Sequence, residues 1–407
     1  VQRKKTIFIF GCVFVTASLA AASLLAWRRF SQPVHDLPQG VSMEDFAHAA
    51  VQWEAAYGRP AQRSDTLVWL GDAFAKKGEL TTAIACYDAT PTSDPWYGLA
   101  ARLEQAKALA QLKRAREAEE NLREFIAGLK PDSRVTTQQV AEALDLLRHL
   151  LEVQLRFEER VDILRVMHAI GAAGPFDTLA YCFPTALRWN GPEAVHWLEE
   201  FWRQDPTNFR LRVALGRYRM GEGRLEEAQT ILVKCFHERP ADLHAGAALL
   251  ACHYEQDDWE NLHAILKEMP GRSSSDPWLL LRMRGHVHNR NGNHEEALAC
   301  FQQVLNADPA NAESYQGVAQ ACSALGREAE RVEALRKMQG VTRIQNRLGW
   351  ATTRPDDPTP LVEIAAVCQE IGLFDQSRLI AQLALTLDPG NAKMQALLTD
   401  LESPAQP

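Results

Sequence analysis

The chain has eight cysteines among its 407 residues but no CxxC or CxxCH spacing. Zinc-knuckle and haem-attachment motifs are thereby excluded. No phosphate-binding loop, GxSxG elbow or HExxH run occurs, so none of those catalytic signatures is available. There is no N-x-S/T sequon. An excess of basic charge is missing too: 44 Lys and Arg face 52 Asp and Glu, a net charge of −8. Residues 1–29 hold five basic and no acidic residues, which leaves 39 basic against 52 acidic beyond them, or −13. General nucleic-acid binding needs the opposite balance. Low-complexity and collagen-like patterns are absent as well. With 46% hydrophobic and 24% charged residues, most of the chain is able to bury a core. Its length suits two or three domains, or one long repeat array.

The cysteines, Cys12, Cys86, Cys182, Cys235, Cys252, Cys300, Cys322 and Cys368, mostly fall at apolar positions of predicted helices. There they read as small hydrophobes. Thr6–Trp27, "TIFIFGCVFVTASLAAASLLAW", is a 22-residue run without charge. As a helix it spans roughly 33 Å, enough for the hydrocarbon of a bilayer. Arg3, Lys4 and Lys5 precede it, Arg28 and Arg29 follow, and Trp27 suits the interface. The expectation is an uncleaved single-pass anchor in residues 1–29, in an inner (cell) membrane, with the C-terminal part periplasmic. A cleaved signal sequence, which would yield a secreted binder, is the alternative.

What the sequence does contain is a recurring phrase. "GRLEEAQTILVKCFHERP" at Gly223–Pro240 returns as "GNHEEALACFQQVLNADP" at Gly292–Pro309 and "GLFDQSRLIAQLALTLDP" at Gly372–Pro389. In a 34-residue frame starting at Phe209, Gly216 takes the eighth place, Gly223 the fifteenth and Ala228 the twentieth. Leu232, Cys235 and Pro240 take places twenty-four, twenty-seven and thirty-two. Nine starts follow: 64, 99, 141, 175, 209, 243, 278, 312 and 358. The units from Ala141, Leu243 and Ala312 carry Arg160, Leu262 and Arg331 in place of the small twentieth residue. Each unit reads as two antiparallel helices. Small residues allow close approach, a left-handed glycine turns the chain, and a proline ends the second helix. One pair cannot bury its own apolar face, so neighbours must stack.

This pattern resembles the tetratricopeptide repeat family over about Ser64–Asn391. The resemblance implies an all-α fold, a right-handed superhelical solenoid of about nine helix pairs, preceded here by the transmembrane helix. Residues 30–63 read as a tether and a docking helix at Ser42–Gly58, with Ser42 and Asp45 as a capping box and Phe46, Ala50, Trp53 and Tyr57 as its apolar stripe. Residues 64–391 hold the repeats, and 392–407 a capping helix and tail. Inserts near Pro131–Val140 and Asn346–Asp357 break the period and read as loops.

In that family the second, fifth, ninth and twelfth places of the first helices line a concave groove. These places hold Asp65, Asp72, Glu142, Asp145, His149 and Glu152 toward the N-terminal end. Midway they hold Arg210, Arg217, His244, Tyr254, Arg282, His286 and Asn289, with Arg290 beside them. The expected groove is acidic first and basic later, and arginine forks suit carboxylates. The Lys/Asn clamp of heat-shock co-chaperones is not matched. Seven of the twelve histidines lie in His237–His294, which raises a metal or cofactor site in an enzyme-associated subunit as the alternative. The ordinary reading is surface and core histidine. The expected function is a non-enzymatic scaffold without cofactor that binds a protein or peptide of acidic character, not nucleic acid, and assists assembly of a membrane or envelope complex.

Overall fold

The computed structural model describes residues 37–130, 134–186, 192–273 and 275–402. The membrane segment expected at Thr6–Trp27, most of the tether and the last five residues lie outside them. Among the described residues there are twenty helices and no strand, and none of those helices is long and apolar enough to cross a membrane. Two compact units divide between Leu147 and Arg148. The first contains α1 (Met43–Tyr57), α2 (Arg63–Lys76), α3 (Leu80–Asp88), α4 (Gly98–Gln111) and α5 (Ala115–Ala127). The helix α6 (Thr137–Val153) runs across the boundary. The second unit continues with α7 (Phe157–Ala169), α8 (Pro175–Cys182), α9 (Pro192–Gln204), α10 (Phe209–Gly221), α11 (Leu225–Glu238), α12 (Leu243–Glu255) and α13 (Trp259–Glu268). It ends with α14 (Trp278–Arg290), α15 (His294–Ala307), α16 (Ala312–Ala324), α17 (Glu328–Thr353), α18 (Thr359–Glu370), α19 (Phe374–Leu387) and α20 (Ala392–Glu402).

The 34-residue frame appears directly in the helix pairing. α2 packs on α3, α4 on α5, α10 on α11, α14 on α15, α16 on α17 and α18 on α19. A Cβ on the eighth-place Gly285 would sit 2.7 Å from the ring of Phe301, the twenty-fourth residue of the same unit. That glycine therefore lets the ring lie against the backbone of α14, and Phe301 is fully buried. The fifteenth place is left-handed in every described unit. Gly78, Gly223, Gly292, Gly326 and Gly372 have φ of 71–82°, but Lys113, Leu155 and Asp257 hold the same place with φ of 62°, 54° and 55°. Each is followed by an amide that reaches back over the helix end, as Arg114 N–H does to the Leu109 carbonyl at 2.9 Å. The turn persists where the glycine does not.

The described cysteines are all free and buried. The Ser42–Asp45 capping box forms, with the Asp45 amide donating to Ser42 Oγ at 3.0 Å. α1 docks on α2 through Phe46, Ala49, Ala50 and Trp53. Tyr57, the last residue of that stripe, is 56% exposed, and its ring packs against Trp53 and against Trp69 of α2, with centroids 4.2 and 6.0 Å away. α20 caps α19.

Both inserts are shorter as loops than expected. Helix α6 begins at Thr137, and α17 runs unbroken for 26 residues to Thr353. No proline interrupts α17 until Pro355, and Ile344, Leu348 and Ala351 continue its buried stripe at helical spacing. The unit expected from Pro175 departs more strongly. α8 stops after eight residues, two residues before Pro184 in the sequence, and packs on α19. α9 stacks on α10 instead.

Candidate partner-binding groove

The first helices of the second unit, α10, α12, α14 and α16, carry the residues that the repeat frame assigns to a groove. Their starts are set by side-chain caps. Asn208 accepts from the amides of Arg210 and Leu211 at 3.1 and 3.3 Å, Asp242 from Ala245 at 2.9 Å, and Asn311 from Ser314 at 3.0 Å. α14 lacks such a cap: Pro277 precedes it. The Trp278 amide donates instead to Glu158 Oε1 at 2.9 Å, 120 residues earlier in the chain. A carboxylate there complements the positive end of α14.

Three of the named residues come together. Arg217, His244 and Arg282 line one cavity of about 50 Å³, with Glu158, Trp278 and Asn311 among its other walls. Burial holds His244 below the usual imidazole range, and Arg210 and Arg217 act in the same direction against Glu158 and Asp242. Arg217 donates through Nη1 to the Leu155 carbonyl at 2.7 Å and lies over the Phe157 ring at 5.5 Å. Arg282 pairs with Glu313 at 2.6 Å, the arginine largely buried and the glutamate 53% exposed. Next to this cavity a larger cleft of about 740 Å³ shares Phe157, Arg217, Leu279 and Arg282 and adds Val195, Glu199 and Tyr218.

The remaining named residues are placed elsewhere. Arg210 pairs with Asp242 at 3.0 Å. Tyr254 and His286 stack with ring centroids 4.5 Å apart, and Phe301 meets His286 edge-on at 5.1 Å. Burial, then the Arg282 charge, pushes His286 down to about 4. Asn289 donates to the Gly317 carbonyl at 3.0 Å, tying α14 to α16. Arg290 covers the Trp259 ring at 4.3 Å.

The acidic places have internal duties as well. Asp65 caps α2 and accepts from the Gln62 amide at 2.9 Å. Asp72 accepts from the Tyr87 hydroxyl at 2.8 Å. Glu142 pairs with Lys107 at 2.6 Å. Glu152 is buried between Arg148 at 3.1 Å and Arg160 at 3.0 Å. The lining of the larger cleft is thus mixed in charge: Arg219 also meets Glu199 and Glu222 there.

Among the described residues no group of three His, Cys, Asp or Glu is placed to hold a metal ion. The clustered histidines have separate partners: His253 meets Asp258 at 2.9 Å and His263 meets the Trp259 carbonyl at 2.6 Å.

Phe157, Glu158, Thr185 and Trp278 also line the cavity and are not among the groove places of the repeat frame. No local signal marks them, since the first three reach the groove only because α7 and the turn after α8 lie along the starts of α14 and α16. Thr185 donates to the Asp308 carboxylate, and Asn311 Nδ2 lies 3.4 Å from its hydroxyl.

Successive helix pairs stacked in this way define a helical-repeat array. Tetratricopeptide repeat profiles match residues 41–95 and 283–311, so the chain contains tetratricopeptide repeats in both units. Such repeats generally act as protein-interaction scaffolds. Over 172 residues, 42% of the chain, the sequence is 26% identical to Superkiller complex protein 3 of Mus musculus. The match covers about 10% of that protein's length. Among solved structures, a tetratricopeptide repeat protein from Parabacteroides merdae is similar at 12% identity and a TM-score of 0.30, covering 64% of this chain and 99% of that one. The human IFIT1 dimer with PPP-AAAA is similar at 13% identity and a TM-score of 0.34, covering 89% and 91%.

Proposed function

We propose that this chain is a membrane-anchored scaffold that holds a partner protein through a segment entering the cleft of the second unit. The observation that carries the reading is the pairing of Arg282 with Glu313 at the cleft. The arginine is 14% exposed and its Nε finds no hydrogen-bond partner among the described residues, while its glutamate is half in solvent. A carboxylate from a partner can replace Glu313 there without leaving the guanidinium unpaired. Arg217 stands on the same wall. The partner segment is therefore acidic and enters with its carboxylates toward Arg217 and Arg282. The apolar run Thr6–Trp27 supplies the anchor, with the repeats on the periplasmic side of an inner membrane, where the scaffold assists assembly of a membrane or envelope complex without a reaction of its own.

The test is purification of the full chain with its partners in mild detergent. The native chain is compared with one carrying Arg210, Arg217, Arg282 and Arg290 changed to alanine. The expected result is a partner retained by the native chain, released by salt, and lost from the variant. Equal retention by both would move the binding surface away from this groove.

A further inference from the structure

The groove just described is not vacant along its length. The first turn of α7 lies across it and makes the contacts that a bound acidic segment would make. The Leu155 carbonyl accepts from Arg217 at 2.7 Å. Phe157 lies against the same guanidinium. Glu158 takes the amide at the start of α14 at 2.9 Å, and its charge reaches His244. These partners lie on α10, α12 and α14. We infer that the turn Leu155–Glu159 is a resident ligand of the groove, held in cis, and that an acidic partner segment binds by displacing it. This rests on the reading of the groove as a partner site and names how that site is regulated.

Three features make the turn displaceable. Two of its contacts to the groove, the Leu155 carbonyl on Arg217 and Glu158 on the Trp278 amide, are hydrogen bonds that water replaces at little cost, and the buried side chains that must also leave are two, Leu155 and Phe157. The interface is loosely filled: besides the cavity of about 50 Å³, a cleft of about 620 Å³ opens between α7, α8, Trp278 and α19. The turn also begins at Leu155, whose φ of 54° is unfavourable for a branched L-residue. The rest of α7 has its own anchorage. Arg160 is fully buried, paired with Glu152 and donating to the Pro184 carbonyl at 2.6 Å. The helix therefore has a fixed point one residue beyond the turn that moves. Some apolar side chains of this hairpin, Val166, Ile170 and Phe176, are 45%, 37% and 38% exposed, so its outer face adds little to hold it down.

The probe is a fluorescent synthetic peptide with the sequence of residues 155–170, LRFEERVDILRVMHAI. Its binding to the full chain is read by anisotropy for the native protein, for Glu158→Ala and for Glu158→Ala combined with Arg217→Ala and Arg282→Ala. The expected result is at least tenfold tighter binding to Glu158→Ala than to the native chain, lost again in the triple variant. Glu158→Gln, which keeps the side-chain shape, repeats the comparison should Glu158→Ala lose helix content by circular dichroism. Equal, arginine-dependent binding to the native chain and the Glu158 variant would overturn displacement and leave the groove reading in place. Tighter binding that ignores the two arginines would instead overturn the groove reading. Binding to none of the proteins overturns the inference, and the partner-capture comparison then decides the groove reading separately.

Discussion

At the scale of single residues, the frame is set by backbone conformation more than by residue type. Lys113, Leu155 and Asp257 adopt the left-handed turn that glycine adopts in the neighbouring units. For an L-residue this costs about 1–2 kcal/mol, which the packed helices on either side outweigh. Lys113→Gly is therefore expected to stabilise the first unit by about 0.5–1 kcal/mol, after the added freedom of glycine in the unfolded chain is subtracted. A higher melting temperature than that of the native chain checks it. A second residue-scale consequence concerns His286. Its folded-state pKa is lowered from 6.5 to about 4 by burial, so the folded state resists a proton that the unfolded state accepts. Stability is complete above pH 6.5 and is lost as pH falls from there toward 4. Between pH 7 and pH 5 the loss is about 2 kcal/mol. Urea midpoints at the two pH values are expected to differ less in His286→Phe than in the native chain. The histidine cluster was legible in the sequence, but that this member is stacked on Tyr254 and desolvated was not, because stacking depends on the neighbouring unit.

At the scale of elements, the unit from Ala141 shows what happens when the small places are lost. Its eighth and twentieth residues are Arg148 and Arg160, and both point at Glu152. Asp177 completes the set, 2.9 Å from Arg148 Nε. Two arginines and their carboxylates fill the space that two small residues leave elsewhere. Burial lowers the affinity of Arg160 for its proton, and Glu152 opposes that shift. Glu152→Gln leaves two buried guanidinium groups facing each other and is expected to destabilise the second unit by about 3–5 kcal/mol. The check is a fall in the urea midpoint together with faster hydrogen exchange in α7 and α8. The sequence shows Arg160 only as a missing small residue. Glu152 reads there as a groove carboxylate, since its partners lie on other helices. α17 makes the opposite point. Its length was written in the sequence, because the stripe Ile344, Leu348 and Ala351 has helical spacing, but the break in the repeat period disguised it as a loop.

At the scale of the whole molecule, the second unit bends far enough to bring α8 onto α19 and Thr185 onto Asp308. The groove is thereby partly filled by the chain itself, and the contest between the α7 turn and a partner, tested by the peptide experiment above, belongs to this scale. What the amino-acid sequence determines alone is the repeat: helix pairs, their caps, the glycine turns and the small-against-large contacts, such as Gly285 against Phe301. These are contacts within about one 34-residue period, so their residue types appear at regular spacing. The meeting of Glu158 with Trp278, and of Thr185 with Asp308, follows no such spacing. It results from the sum of small rotations between successive repeats and from the shortened α8. A rotation accumulated over several units leaves no periodic trace in any one of them, and only the folded chain shows which residues it brings face to face.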